Sequence, residues 1–273
     1  MDNFYILTNA EKDVGGKISE NIRKYLTGRG KKCIMINDGN EVTEEYDCMI
    51  VIGGDGTVLR AARKTRHKKI PIVGVNMGTL GYLTEITTDN LYESLERLIS
   101  NDFIIEDRMM LTGEGYRKGD RLFKMTAVNE FQITREGPLT GLAFENYLNG
   151  QYMNTYLADG VLISTATGST GYNLSLGGPI VSPTAKIMVM TPMAAHTLNS
   201  RSIVFSENDS VEINITKGKR NSENNAEVIC DGDKHERLEI GDRFIIKKSP
   251  EKTELIRLNE HSFIETLSHK MNY

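Results

Sequence analysis

A carboxylate set among three glycines is the residue best placed to do chemistry in this chain. Asp55 lies within Gly53-Gly54-Asp55-Gly56-Thr57, directly after the apolar run Ile50-Val51-Ile52 and before the helix-forming stretch Val58 to Arg63. Glycines let backbone N–H groups approach an anion with no Cβ in the way. A helix starting there adds its own unpaired N–H groups and a positive dipole end, so the turn reads as a phosphate cradle. A carboxylate in such a cradle repels a phosphate on which it has no work, which points to proton abstraction or magnesium coordination. The plainer alternative is a tight strand-to-helix turn with Asp55 as helix cap. The chain has no G-x-x-x-x-G-K-[ST] segment and no Gly-x-Gly-x-x-Gly, so neither the P-loop nor the Rossmann turn supplies the cradle.

Three further segments carry polar residues in suggestive patterns. Asn76-Met77-Gly78-Thr79-Leu80-Gly81-Tyr82-Leu83 follows the β-branched run Ile70 to Val75. It is a second glycine-punctuated loop at a strand's carboxyl end, where open α/β sheets place their ligands. Asn129-Glu130 sits within a strand-like run, and a regular strand would send its two side chains to opposite faces. Asp159-Gly160 precedes the apolar run Val161 to Ile163, which leads into Ser164-Thr165-Ala166-Thr167-Gly168-Ser169-Thr170-Gly171-Tyr172. So many hydroxyls suit a polar ligand whose ring packs near Tyr172; a Ser/Thr-rich surface loop is the alternative. The histidines (His67, His196, His235, His261 and His269) show no metal-ligand spacing, and no protein metal site is expected.

The elements that must position these residues fall into two kinds. Up to about residue 102, short apolar runs alternate with helical periodicity. Phe4 to Thr8, Cys33 to Ile36, Cys48 to Ile52 and Ile70 to Val75 read as strands, the second and third nearly continuous and so covered on both faces. Ile18, Ile22, Tyr25 and Leu26 mark one helix, ended by Gly28 and Gly30; Leu91, Leu95, Leu98 and Ile99 mark another, capped by Asp89 or Asn90. That alternation predicts a mostly parallel sheet with packed helices. Beyond it, period-two runs dominate: Leu122 to Val128, Leu142 to Leu148, Tyr152 to Tyr156 and Val211 to Ile215. Asn149-Gly150 is a two-residue hairpin signal. Lys217 to Asn225 reads as a solvated hairpin tip, and Ser262 to Leu267 as a helix that docks back on the first half. The expected organisation is an α/β domain over residues 1–102, a β-rich, sandwich-like domain over 103–254, and a tail, 255–273, returning to the first domain.

Composition limits the partners. At 273 residues, 39% hydrophobic and 26% charged, the chain is long enough for a real core and has a globular composition. A net charge of −4 with interspersed signs gives no global attraction to nucleic acid or an anionic membrane. Cys33, Cys48 and Cys230 are widely separated and read as reduced, buried thiols. The N-terminus lacks a basic n-region and a signal-like apolar stretch, so a cytoplasmic location is expected.

In this order the segments resemble the NAD kinase family. The resemblance spans nearly the whole chain: the GGDGT turn, the N-x-G-x-L-G loop, the Asn129-Glu130 pair and the D-G…T-G-S-T-x-Y stretch, then Gly177-Gly178-Pro179, Thr191 to His196 and Asn199-Ser200-Arg201. The glycine turn alone is shared with phosphofructokinases and with diacylglycerol and sphingosine kinases, which makes a lipid kinase the rival reading. Two positions depart from the family pattern: Ala166 replaces a usual proline and Gly171 a usual alanine, which bears on affinity more than on activity.

The resemblance implies phosphoryl transfer from ATP, or from polyphosphate, to the adenosine-ribose 2′-hydroxyl of NAD, giving NADP. Asp55 would be the base; Gly53, Gly54, Gly56 and Thr57 would hold the donor's phosphates, with Mg²⁺ offsetting their charge. Tyr82 would pack against the adenine, while Asn129, Glu130, Thr167, Thr170, Gly171 and Tyr172 would line the NAD site. Asp159, Ser175 and Ala194 would reach the nicotinamide half. A homo-oligomer, commonly a tetramer, is also implied.

Overall fold

A computed structural model describes residues 1–9, 11–44, 46–78, 81–136, 142–195, 201–218, 225–258 and 263–271. The chain divides into two compact units: Met1–Arg108 with Glu251–Tyr273, and Met109–Pro250.

The first unit is an α/β layer. Its elements in chain order are β1 (Asn3–Thr8), α1 (Lys17–Gly28), β2 (Lys32–Ile36), β3 (Cys48–Ile52), α2 (Asp55–Thr65), β4 (Ile72–Val75), β5 (Thr84–Ile86) and α3 (Leu91–Ile99). The strands run β2-β1-β3-β4 with every pairing parallel, and β5 also joins β4 in parallel. All five residues of β3 are buried, as its unbroken apolar run requires. By contrast β2 is an edge strand, and only Ile36 is buried. The expectation that its run is covered on both faces is corrected here. Phe4, Ile6, Ile50, Ile52 and Val73 pack with Ile22 and Leu26 of α1 and Leu95 and Leu98 of α3 into one core. The α3 N-cap is Asn90, whose Oδ1 accepts from the Thr87 amide over 2.8 Å.

The second unit is an antiparallel sandwich. It is entered along β6 (Ile104–Arg117), followed by β7 (Asp120–Ala127), β8 (Glu130–Arg135), β9 (Leu142–Leu148), β10 (Gln151–Tyr156) and β11 (Gly160–Thr165). A short helix, α4 (Tyr172–Ser175), precedes β12 (Ile187–Met193), β13 (Ile203–Ser206), β14 (Val211–Lys217), β15 (Ala226–Cys230), β16 (Lys234–Leu238) and β17 (Arg243–Arg257). One sheet has the order β13-β12-β11-β8-β15-β16; the facing strands run β10-β9-β14-β17. Phe131, Ile163 and Met190 from the first meet Phe144, Ile213 and Phe244 from the second in a shared core. The β9–β10 connection is the expected tight turn, with Asn149 and Gly150 at φ +51° and +80°. Most of the expected tip at Lys217 to Asn225 lies outside the described residues.

The last residues of β17 belong to the first unit, where Leu255 lies opposite Ile72 in parallel pairing. The helix α5 (Phe263–Met271) follows, and its Phe263 ring stands 6.1 Å from that of Tyr82. The tail thus returns to the α/β layer.

Candidate functional site

The glycine turn occupies the C-terminal end of β3, an inner strand of the parallel sheet. Gly53 donates its amide to Val75 O over 2.9 Å, tying the turn to the end of β4. A Cβ on Gly53 would fall 2.4 Å from Thr57 Oγ1, so only glycine lets the threonine fold back over the turn. Gly54 is the N-cap of α2 without a side-chain cap, and Asp55 is the first helical residue. Asp55 is therefore not the helix cap. Its carboxylate instead crosses to the second glycine loop: Tyr82 N donates to Oδ2 over 2.8 Å and Leu83 N to Oδ1 over 3.0 Å. Gly81 makes that approach possible, since a Cβ there would sit 1.8 Å from Asp55 Oδ1. Gly81 N in turn donates to Thr84 Oγ1 over 2.9 Å.

The result is a carboxylate fixed in direction at the head of a helix whose first amides have no side-chain cap among the described residues. Tyr82, next to it, carries a phenol raised above its ordinary pKa, first by burial and then by the Asp55 charge. Its ring centre stands 6.1 Å from that of Phe263 and 5.1 Å from the ammonium of Lys270. Thr79 and Leu80 of the same loop lie outside the described residues.

The second unit gathers most of the other expected residues around one strand break. Val128 and Asn129 separate β7 from β8, so Asn129-Glu130 does not sit within one regular strand. Consequently the two side chains do not diverge: a Cβ on Gly171 would lie 3.3 Å from both Asn129 Nδ2 and Glu130 Oε2. The break is held by Asp231, whose carboxylate accepts from the amides of Val128, Asn129 and Glu130 over 3.0, 2.8 and 3.1 Å. Asp231 has φ +48° at the end of β15.

The hydroxyl-rich segment closes over this break and is not a surface loop. Ser164, Thr165 and Ser169 are fully buried. Thr165 N donates to Asn129 O over 2.8 Å, and Thr165 Oγ1 to Val128 O over 2.8 Å. A Cβ on Gly168 would stand 2.4 Å from Asn129 O. Thr167 to Thr170 form a tight 3₁₀ turn, and α4 then exposes Tyr172 and Ser175 while burying Asn173. Asn173 is the hub of that stretch: its Nδ2 donates to Pro179 O over 3.0 Å and its Oδ1 accepts from Thr191 Oγ1 over 2.7 Å.

Two polar atoms here are conspicuous. Asn129 Oδ1 and Glu130 Oε2 are buried without a hydrogen-bond partner. Glu130 is 5% exposed, and its carboxyl is pushed up to about 8, by burial first and by the Asp231 charge second. Buried groups left unpaired are rare, and a ligand is one way to complete them. Asp159 lies elsewhere on the unit, paired with Arg135 Nε over 3.0 Å. Its amide donates to Met193 O over 2.9 Å, which sets it beside Ala194, a non-glycine residue at φ +46°.

Neither Asp231 nor Asn173 stands out in the sequence. Asp231-Gly232 offers only a turn signal, and Asn173 hides in an undistinguished Tyr-Asn-Leu-Ser stretch.

The α/β unit with its anion-ready turn, followed by a sandwich with buried unpaired polar groups, fits a phosphotransferase acting on a polar substrate. Residues 14–103 match the family model described as ATP-NAD kinase N-terminal domain, and residues 128–258 match ATP-NAD kinase C-terminal domain. The chain belongs to the ATP-NAD kinase family. An NAD kinase of Lachnospira eligens is 39% identical, over 99% of this chain and 100% of its own length. One of Lachnoclostridium phytofermentans is 40% identical over 99% of each. Among solved structures, yeast NADH kinase complexed with NADH matches with a TM-score of 0.87 at 20% identity, covering 100% of this chain and 88% of that one. An NAD kinase from Archaeoglobus fulgidus in complex with ATP matches with a TM-score of 0.78 at 22% identity, covering 99% of both. At those identities the two structures speak for the fold.

Proposed function

We infer that the chain transfers a phosphoryl group from ATP to the 2′-hydroxyl of the adenosine ribose of NAD, giving NADP. The observation that carries this reading is the Asp55 carboxylate, held by the amides of Tyr82 and Leu83 at the head of α2. Phosphoryl transfer asks the protein mainly for positioning and charge stabilisation. Asp55 receives the proton of the 2′-hydroxyl as the oxygen–phosphorus bond forms. A hydroxyl is a far weaker acid than a carboxyl, so that transfer comes late. Gly53, Gly54, Gly56 and Thr57 hold the donor's phosphates, and Tyr82 packs against the adenine of NAD. Asn129, Glu130, Thr167, Thr170, Gly171 and Tyr172 line the NAD site, with Asp159, Ser175 and Ala194 toward the nicotinamide half.

Among the described residues no cluster of three or more His, Cys, Asp or Glu side chains could hold a metal ion. Mg²⁺ would arrive as its ATP complex, because this ion keeps its waters and phosphate ligands and needs one or two carboxylates at most. Asp55 is the carboxylate beside the phosphate turn. The cation would offset phosphate charge during transfer. Family membership supports a homo-oligomer, commonly a tetramer. Three free cysteines, two of them buried, suit a reducing cytoplasm. Among the described residues no helix is long and apolar enough to cross a membrane. The lipid-kinase alternative finds no support among relatives that match along the whole chain.

The test is direct. Purified protein is incubated with NAD, ATP and Mg²⁺, and NADP is followed with an NADP-specific dehydrogenase, beside a lipid-phosphorylation control. Asp55→Asn should lower turnover strongly while NAD still binds. Wild-type turnover in that variant refutes the assigned role.

A further inference from the structure

A cavity of about 240 Å³ opens in the first unit beside Thr57, between the C-terminal ends of β1 and β2 and the exposed face of α2. None of the residues assigned to NAD lines it. Its two ends differ in chemistry. Near the glycine turn stand Thr57 and, one helical turn on, Arg60; the guanidinium is exposed, has no ion pair or hydrogen bond among the described residues, and its charge reaches Asp38. At the far end stand Asn37 and Asp38, with Asn9 on the neighbouring strand end. Leu7 and Ala61, both buried, supply an apolar floor between the ends.

We propose that this cavity receives the nucleoside of the phosphate donor, with Asp38 taking the ribose hydroxyls and Arg60 facing the phosphate chain. This rests on the kinase reading above and adds to it what lies beyond the donor's phosphates. Lys64 is seven positions after Thr57, which at ~1.5 Å per helical residue places it about 10 Å further along α2. A donor whose terminal phosphate sits in the glycine turn therefore brings its fourth unit, not its third phosphate, to the Lys64–Asp38 end.

The decisive feature is that the charges at that end are already paired. Lys64 donates to Asp38 Oδ2, so its ammonium is already neutralised. Asp38 Oδ1 accepts from Asn40 N over 2.8 Å, which fixes the carboxylate as the cap of a short turn over Gly39–Glu41. The turn is pressed against α2: a Cβ on Gly39 would lie 2.9 Å from Lys64 Cβ. The pair is neutral overall, and a carboxylate pinned there cannot swing aside to free the ammonium for a further phosphate. It does accept hydrogen bonds from a vicinal diol, and the amide groups of Asn9 and Asn37 can complete the set. The cavity thus selects a nucleoside triphosphate over inorganic polyphosphate.

The experiment compares ATP, 2′,3′-dideoxy-ATP and inorganic tripolyphosphate as donors to NAD, in the wild-type protein and in Asp38→Asn, whose side-chain oxygen can still cap the turn. Expected in the wild type is a donor KM at least ten times higher for the dideoxy analogue, with the KM for NAD unchanged, and poor use of tripolyphosphate. Asp38→Asn should raise the KM for ATP toward that of the dideoxy analogue and leave tripolyphosphate no worse. Equal KM values for ATP and its dideoxy analogue in the wild type overturn the subsite, whether or not the variant folds. So does wild-type use of tripolyphosphate as efficient as that of ATP. Absence of NADP with every donor sinks the kinase reading itself, a different result from NADP formed without discrimination.

Discussion

Arg257 donates from its guanidinium to the backbone carbonyl of Tyr82 over 3.0 Å. The same peptide segment grips Asp55 through the Tyr82 amide, so the arginine and the proposed base hold opposite sides of one short loop. Arg257 is itself fixed by Glu106 over 2.9 Å and Glu85 over 3.0 Å, and Glu85 also accepts from Leu258 N over 3.0 Å. The buried Arg108 extends the cluster through Glu106 over 3.0 Å. This fork of three directed hydrogen bonds suits a guanidinium and not an ammonium. Arg257→Lys should keep the fold and lower turnover about tenfold while the KM for NAD stays within twofold. Arg257→Met, which leaves Glu106 to Arg108 and takes one charged partner from Glu85, should cost ~1.5–3 kcal/mol of stability as well. Steady-state kinetics with thermal melting separates the two effects. A lysine variant with wild-type turnover removes the positioning role.

Gly81 is the position where one methyl group tests the base. Alanine there must displace the Asp55 carboxylate, because its Cβ would overlap Oδ1 at 1.8 Å. A shift of about 1 Å at a reacting group can cost ~100-fold in rate. Gly81→Ala should therefore lose about that factor in NADP formation, with NAD affinity by calorimetry little changed. Turnover within threefold of wild type would show that the carboxylate's position is not what matters.

The fold was legible where burial and periodicity agree. β3 reads as an unbroken apolar run because both of its faces are covered. The same kind of run misleads at β2, whose apolar residues sit on an edge strand with little cover. No Gly-, Pro- or Ser-rich linker marks the border of the units, because two long strands, β6 and β17, carry the chain straight across it. At the site, the glycine turn is local and so readable, since residues 53–57 form it by themselves. What orients Asn129 and Glu130 is not: Asp231 lies 102 positions after Asn129, and nothing near either residue announces the other. Arg257 is likewise 175 positions from Tyr82.

Asp231 supplies a third prediction. Its carboxylate is the common acceptor for three consecutive amides, those of Val128, Asn129 and Glu130. Without it those donors lose their partner at a bend that also anchors Thr165. An unsatisfied buried donor costs ~1–3 kcal/mol, so Asp231→Ala should lose a few kcal/mol of stability. At a temperature where the variant is still folded, the KM for NAD should rise at least tenfold and the KM for ATP should stay put. Equal increases in both would assign Asp231 to stability alone.

Glu130 gives the protein a pH signature whose sign follows from burial. Its carboxyl titrates near 8 in the folded chain, against the ordinary value of 4.5, because the charged form is desolvated and faces Asp231. Between those values the folded state holds a proton that the unfolded state has released. Stability from this group is thus complete below pH ~4.5 and lost as pH rises toward ~8. Glu130→Gln removes the titration but keeps the shape, so its melting temperature relative to wild type should climb between pH 5 and pH 8.5. In the wild type, NAD hydrogen-bonded to the ionised carboxylate would favour that form, and binding near neutral pH should release a proton. Calorimetry in two buffers of different ionisation enthalpy reads that proton directly. Binding with no buffer dependence, together with a flat difference in melting temperature, would mean that Glu130 is already ionised in the folded protein.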